Sequence, residues 1–208
     1  MNEYKEAVAT TLVDSEMTLE QICEGADVII GFSDAEQFSE SIMKSLNTDP
    51  IVFALSNPYP EILPAKAKQY RPDCIIATSR PEHPNQINNM MAFPFIFRAV
   101  LDTFASDIND EMLIAAADAI AALAREPVPE SVRSAYEGRD FEYGPDYIIP
   151  TPFDSRLLEN VSCAVAKMAQ QTGVAKSEIM DFDQYQAYLV QISAGAEDAQ
   201  FVTKKLSN

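Results

Sequence analysis

Between Pro50 and Asp102 two short apolar runs, Ile51–Leu55 and Cys74–Thr78, each break off into a cluster of asparagine, proline and other turn-forming residues. Uninterrupted β-rich runs of this length are what interior strands of a parallel sheet, covered on both faces, look like. In open α/β sheets the ligand crevice lies just past the carboxyl ends of such strands. The first run delivers Asn57, and the second leads into PEHPNQINN, which holds Asn85, Asn88 and Asn89. Each amide carries both a donor and an acceptor, so the two loops are expected to bring neutral hydrogen-bonding groups to one site.

Helical patterns alternate with these runs, which predicts parallel strands, right-handed crossovers and loops emerging on one edge of the sheet. A further strand is expected over 26–32, ending in Gly31-Phe32-Ser33, where a glycine would let a cofactor come close to the backbone. Ser33-x-x-Glu36 also fits a helix cap ahead of Phe38, Ile42 and Leu46, with Ser39 as a competing cap. Thr18-Leu-Glu-Gln21 fits a capping box with Leu19, Ile22 and Cys23 as the buried stripe, closed by Gly25. Helical character is also expected over 1–12, from Pro64 to Gln69, from Asn89 to Phe104, and after Asn109, with Met112, Ala116, Ile120 and Leu123 on one side. Asp154 is placed to cap a long helix stopped by Gly173, and a last helix spans about Asp181 to Ile192. Residues 126–150 read as an extended connection and the final dozen residues as frayed. Asp102, Asp107 and Asp110 read as solvated capping acids at a helix junction.

The balance of 15 basic against 32 acidic residues, a formal charge of −17, argues against nucleic acid or an anionic membrane as the main partner. No apolar run reaches the length of a membrane span. Cys23, Cys74 and Cys163 have no paired spacing, and with one histidine, His83, they do not form a metal-ligand pattern. An odd, scattered cysteine count suits the reducing cytoplasm, with Cys74 and Cys163 as small buried hydrophobes.

The segments FALSNPYPEI and IIATSRPEHPNQINNMMAFPFIFRAVLD closely resemble malic enzymes of the bacterial type, and the likeness extends through GADVIIG, REPVPESV, YIIPTPFDSRL and DFDQYQAYL, from about residue 2 to about residue 192. The resemblance implies an α/β fold in which a partial Rossmann-like parallel sheet is flanked by helices and followed by a helical carboxy-terminal region. It divides the chain into residues 1–150, a partial NAD(P)-binding domain lacking its opening βαβ unit, and residues 151–208, helices packed on that domain. It also implies oxidative decarboxylation of malate to pyruvate with NAD or NADP and Mg or Mn; a related malolactic activity shares the scaffold. By resemblance, Asn57 and Asn89 align with amides that contact the dicarboxylate, Asn57 also lies near the nicotinamide, and Asn88 replaces Asn89 if the register shifts by one. Gly31 and Ser33 fall at the cofactor loop, although this chain reads DAEQ where the family runs on through a proline and a glycine. From spacing alone the same asparagines have structural roles: an Asx turn before Pro58 for Asn57, and a helix cap for Asn88 or Asn89.

The family's tyrosine acid, lysine base, acidic metal ligands and glycine-rich pyrophosphate turn lie upstream of the matching segment. No catalytic acid, base or metal ligand is therefore assigned here, and the chain alone is expected to be inactive. A rival expectation is a non-enzymatic remnant or interaction module, in which a sheet lacking its opening strands presents a pairing edge that drives association into a homo-oligomer.

Overall fold

The computed structural model describes residues 16–136 and 141–196, together with 3, 6, 9, 200, 201 and 203–205; the helix expected over 1–12 falls largely outside them. The chain forms two compact units, residues 1–79 and 80–208.

In the first unit, α1 (Leu19–Cys23), β1 (Val28–Gly31), α2 (Glu40–Ser45), β2 (Ile51–Ala54), α3 (Pro64–Tyr70) and β3 (Ile75–Thr78) alternate. The strands form one parallel sheet in the order β1-β2-β3, with Val28 beside Ile51 and Ile51 beside Ile75. Thr18 caps α1 through the expected reciprocal box with Gln21, Pro64 opens α3 in its first turn, and Gly25 takes the left-handed conformation at φ +70°. Only Cys23 of the α1 stripe is buried; Leu19 and Ile22 are exposed, because a five-residue helix turns one narrow face to the core.

The helices pack against one face of this sheet, where Ile29, Val52 and Ile76 join Phe38, Ile42, Met43 and Leu46 in a single apolar cluster. The other face differs from the fully covered sheet expected from the sequence. Ile51 and Phe53 are half-buried, Val28 and Ile30, alternating along one side of β1, are exposed at 48% and 54%, and Phe32 just past its end is exposed at 77%.

The second unit opens with a 3₁₀ turn at Asn89–Met91 and continues through α4 (Phe93–Thr103), α5 (Asp110–Leu123), α6 (Glu130–Ala135), α7 (Arg156–Gln171), β4 (Ser177–Ile179), α8 (Phe182–Ser193) and β5 (Thr203–Lys205). Helix α7 is central and packs against α4, α5 and α8. Asn109 and Asp181 cap α5 and α8 with their side-chain oxygens, and Gly173 stops α7 at φ +76°. Asp154 accepts from the backbone N–H of Arg156 and pairs with its guanidinium, so it works at the amino end of α7 one residue ahead of the geometric cap, Ser155.

Two expectations are corrected here. The 126–150 connection contains α6, whose Val132 is buried beside Val128 and Tyr147. Within the final dozen residues, 203–205 pair antiparallel with 177–179, giving a polar terminus a ladder to join.

All three cysteines are buried, and burial pushes the Cys163 thiol up to about 11. A thiol at that value holds almost no thiolate at neutral pH, and thiolate is the reactive form. Alkylation by iodoacetamide at pH 7.5 is expected to leave Cys163 unmodified in the native chain and to label it fully in denaturant; rapid native labelling would contradict this packing.

Candidate functional site

The carboxyl ends of the three parallel strands share one edge of the sheet in the first unit. Past β1, the backbone N–H of Ser33 donates to Glu61 Oε1 at 2.9 Å, and the Ser33 hydroxyl reaches the same oxygen at 3.4 Å. Past β2, the backbone N–H of Ser56 donates to Glu61 Oε2 at 3.0 Å. The Glu61 side chain is fully buried and lies against Gly31, where an added Cβ would sit 2.4 Å from its carboxyl carbon. The missing side chain at Gly31 therefore makes room for Glu61.

Ser33 does not cap a helix. Ser39 does, accepting from the N–H of Ile42, while Glu36 takes a left-handed conformation at φ +60° and its N–H bonds to the Pro60 carbonyl. A cavity of about 560 Å³ opens in this unit between Phe38, Tyr59, Leu63 and Lys66.

Asn57, next to Ser56, is exposed and its side chain makes no hydrogen bond to any described residue. The Asx turn considered for it is not formed, and its amide is presented to solvent.

In the second unit the three asparagines of PNQINN take different roles. Asn85 is buried at φ +54°, its Nδ2 donates to the Pro145 carbonyl at 2.7 Å, and its Oδ1 accepts from the Ile148 N–H at 2.9 Å. It ties its loop to the 145–148 segment. Asn88 caps the 3₁₀ turn, accepting from the Met90 N–H at 3.0 Å. Asn89 is exposed, and its side chain has no partner among the described residues.

Behind this turn, a polar cluster ties α4 to α8, and the Asp102 expected to be solvated is buried in it. Asp102 is buried, pairs with Arg98 one helical turn away, and accepts from the hydroxyl of Tyr185 on α8 at 2.7 Å. Burial and the neighbouring carboxylate hold the Tyr185 hydroxyl far above the usual tyrosine range, so it remains a donor. Arg98 also reaches Tyr188 Oη at 3.2 Å.

Among the described residues no group of three or more His, Cys, Asp and Glu side chains is placed to hold a metal ion, and no helix is long and apolar enough to cross a membrane.

Residues 2–134 match the family model for the malic enzyme NAD-binding domain. The chain belongs to the malic enzyme family. It is 48% identical over 185 residues to the NADP-dependent malic enzyme of Escherichia coli, covering 89% of this chain and 24% of that protein. It is 42% identical over 178 residues to the bifunctional malic/malolactic enzyme of Bacillus subtilis, covering 85% of this chain and 40% of that protein. The crystal structure of malic enzyme from Pyrococcus horikoshii superposes with a TM-score of 0.72 at 34% identity, covering 86% of this chain and 38% of that one. The chain thus spans about a quarter of the length of the E. coli malic enzyme. A parallel sheet flanked by helices accords with the Rossmann-like fold of these structural neighbours.

Proposed function

We propose that this chain supplies the substrate-amide portion of a malic enzyme that oxidises and decarboxylates malate to pyruvate with NAD or NADP. The observation that carries the reading is the division of labour among the asparagines. Asn85 and Asn88 spend their oxygens on contacts within the fold, whereas the side chains of Asn57 and Asn89 are exposed and have no hydrogen-bond partner among the described residues, in the two segments where the family motifs stand. Asn57 and Asn89 orient the dicarboxylate, and Asn57 lies by the nicotinamide. Asn88, engaged as a cap, is the weaker candidate. By the same resemblance, Gly31 and Ser33, past the carboxyl end of β1 in the first unit, lie at the cofactor loop.

An amide suits this task. It can hold a carboxylate or a hydroxyl through directed hydrogen bonds without adding a charge that competes with a nearby cation. When bound, a nicotinamide cofactor would supply the hydride acceptor and Mg or Mn would supply charge stabilisation, while the amides of this chain hold and orient the substrate. By the family resemblance, the metal ligands, the catalytic acid and the catalytic base belong to the rest of the enzyme. The exposed apolar side chains, Val28 and Ile30 on β1 with Phe32 just past it, and Phe93, Phe97 and Leu101 on α4, support a chain that works against further protein. Three buried thiols suit a cytoplasmic setting.

The test is malate-dependent NAD(P)H formation with Mn²⁺, first with this chain alone and then with a polypeptide carrying the complementary part of the E. coli enzyme. Activity is expected only in the mixture. Silence in a mixture whose components are shown to associate favours a non-enzymatic interaction module, and activity of the chain alone overturns the assignment of the chemistry to the complementary part.

A further inference from the structure

We infer that Glu61 is a positioning residue, whose buried carboxylate locks the loop after β1 to the loop after β2 and thereby fixes Asn57. The inference rests on the reading of Asn57 as a substrate amide.

The two carboxylate oxygens serve different loops: Oε1 takes the N–H and hydroxyl of Ser33, and Oε2 takes the N–H of Ser56, the residue before Asn57. The Ser56 hydroxyl in turn donates to the Tyr59 carbonyl, closing the 56–61 turn on itself. The backbone joins in, because the carbonyls of Pro60 and Glu61 accept from the N–H groups of Glu36 and Phe38. Gly31 completes the device, since any side chain there would occupy the space of the carboxylate.

Burying an acidic side chain works against stability, and no lysine or arginine pairs with Glu61 among the described residues. A neutral residue of the same shape would avoid that cost, but an amide offers one acceptor oxygen where a carboxylate offers two. Glu61 is therefore the side chain that can satisfy both loops at once. Asn57 itself makes no side-chain hydrogen bond to any described residue, so its direction is set by the backbone that Glu61 holds.

The test uses Glu61→Gln, which keeps the shape and serves only one loop, and Glu61→Asp, which is too short to span both. In the 208-residue chain, amide exchange at Ser33 or Ser56 should accelerate while the β2 amides keep their protection. For turnover, this chain replaces the aligned segment of the E. coli NADP-dependent malic enzyme. In that chimera Glu61→Gln should lower kcat/KM for malate about tenfold, but less than about twofold once Asn57 is already alanine, because a residue acting only through Asn57 has nothing further to disturb. An equal loss in both backgrounds, or no loss in either, overturns the inference while leaving the reading of Asn57 intact. If Asn57→Ala is itself silent, that reading falls and the inference with it. Loss of β2 protection in both Glu61 variants overturns the inference by making Glu61 a general support of the sheet.

Discussion

Asp102→Ala is expected to destabilise the second unit by about 3 kcal/mol, a shift of about 10 °C in the midpoint of thermal unfolding. The Asp102 side chain is 4% exposed and holds two partners, the Arg98 guanidinium and the hydroxyl of the fully buried Tyr185. Truncation strands that hydroxyl without an acceptor, which costs about 1–3 kcal/mol. It also leaves a guanidinium without its counter-charge, but Arg98 is 32% exposed and can turn to water, so the second contribution stays well below that of a fully buried pair. Two companions separate the contributions. Asp102→Asn keeps an acceptor for Tyr185 and should lose about half as much, whereas Tyr185→Phe removes the orphaned group and should cost about 1 kcal/mol. Unfolding followed by circular dichroism decides; an Asp102→Ala midpoint within about 2 °C of the parent would show that the cluster holds nothing together.

Asn57→Ala in the chimera should reduce kcat/KM for malate by about a hundredfold without altering the fold. The magnitude follows from the role: losing one directed hydrogen bond to the reacting substrate typically costs about 10²-fold when orientation governs the rate. Stability should barely change, since the side chain is exposed and bonds to nothing within the described chain. Asn89→Ala should behave in the same way. Asn85→Ala should instead lower stability, because it frees the Pro145 carbonyl and the Ile148 N–H inside the fold. The four asparagines are thereby sorted by which quantity moves.

Much of the fold could be read along the chain because its signals are local. Thr18 caps where a short polar side chain precedes a helical pattern, helices begin after Asn109 and Asp181 as the pattern implies, and Gly25 and Gly173 stop helices where a left-handed residue is needed. The three strands pair in parallel as their alternation with helices implies. The misreadings involve partners far away in sequence. Ser33-x-x-Glu36 fits a cap on spacing and Ser39 competes with it; in the fold Ser39 caps, and Ser33 is bound by Glu61, 28 residues beyond it. Asp102 looks like a surface acid until Tyr185, 83 residues later, is set against it. Strand β5 is polar and has meaning only beside β4. At the candidate site the sequence places the asparagines in two loops, but does not show that Asn85 and Asn88 are taken up by contacts within the fold, because the partners of Asn85 lie some sixty residues away. The FALSNPYPEI motif already contains Glu61; a lone acid closing an apolar, proline-bounded turn is the signal that could have marked it.

The central claim, that this chain carries working substrate amides of a malic enzyme, is met most directly by the rate of malate-dependent NADPH formation in the chimera with Mn²⁺. Turnover within about tenfold of the E. coli parent, lost on Asn57→Ala, is the result predicted here. A folded chimera that binds NADP yet leaves malate untouched, or one indifferent to Asn57, would contradict it.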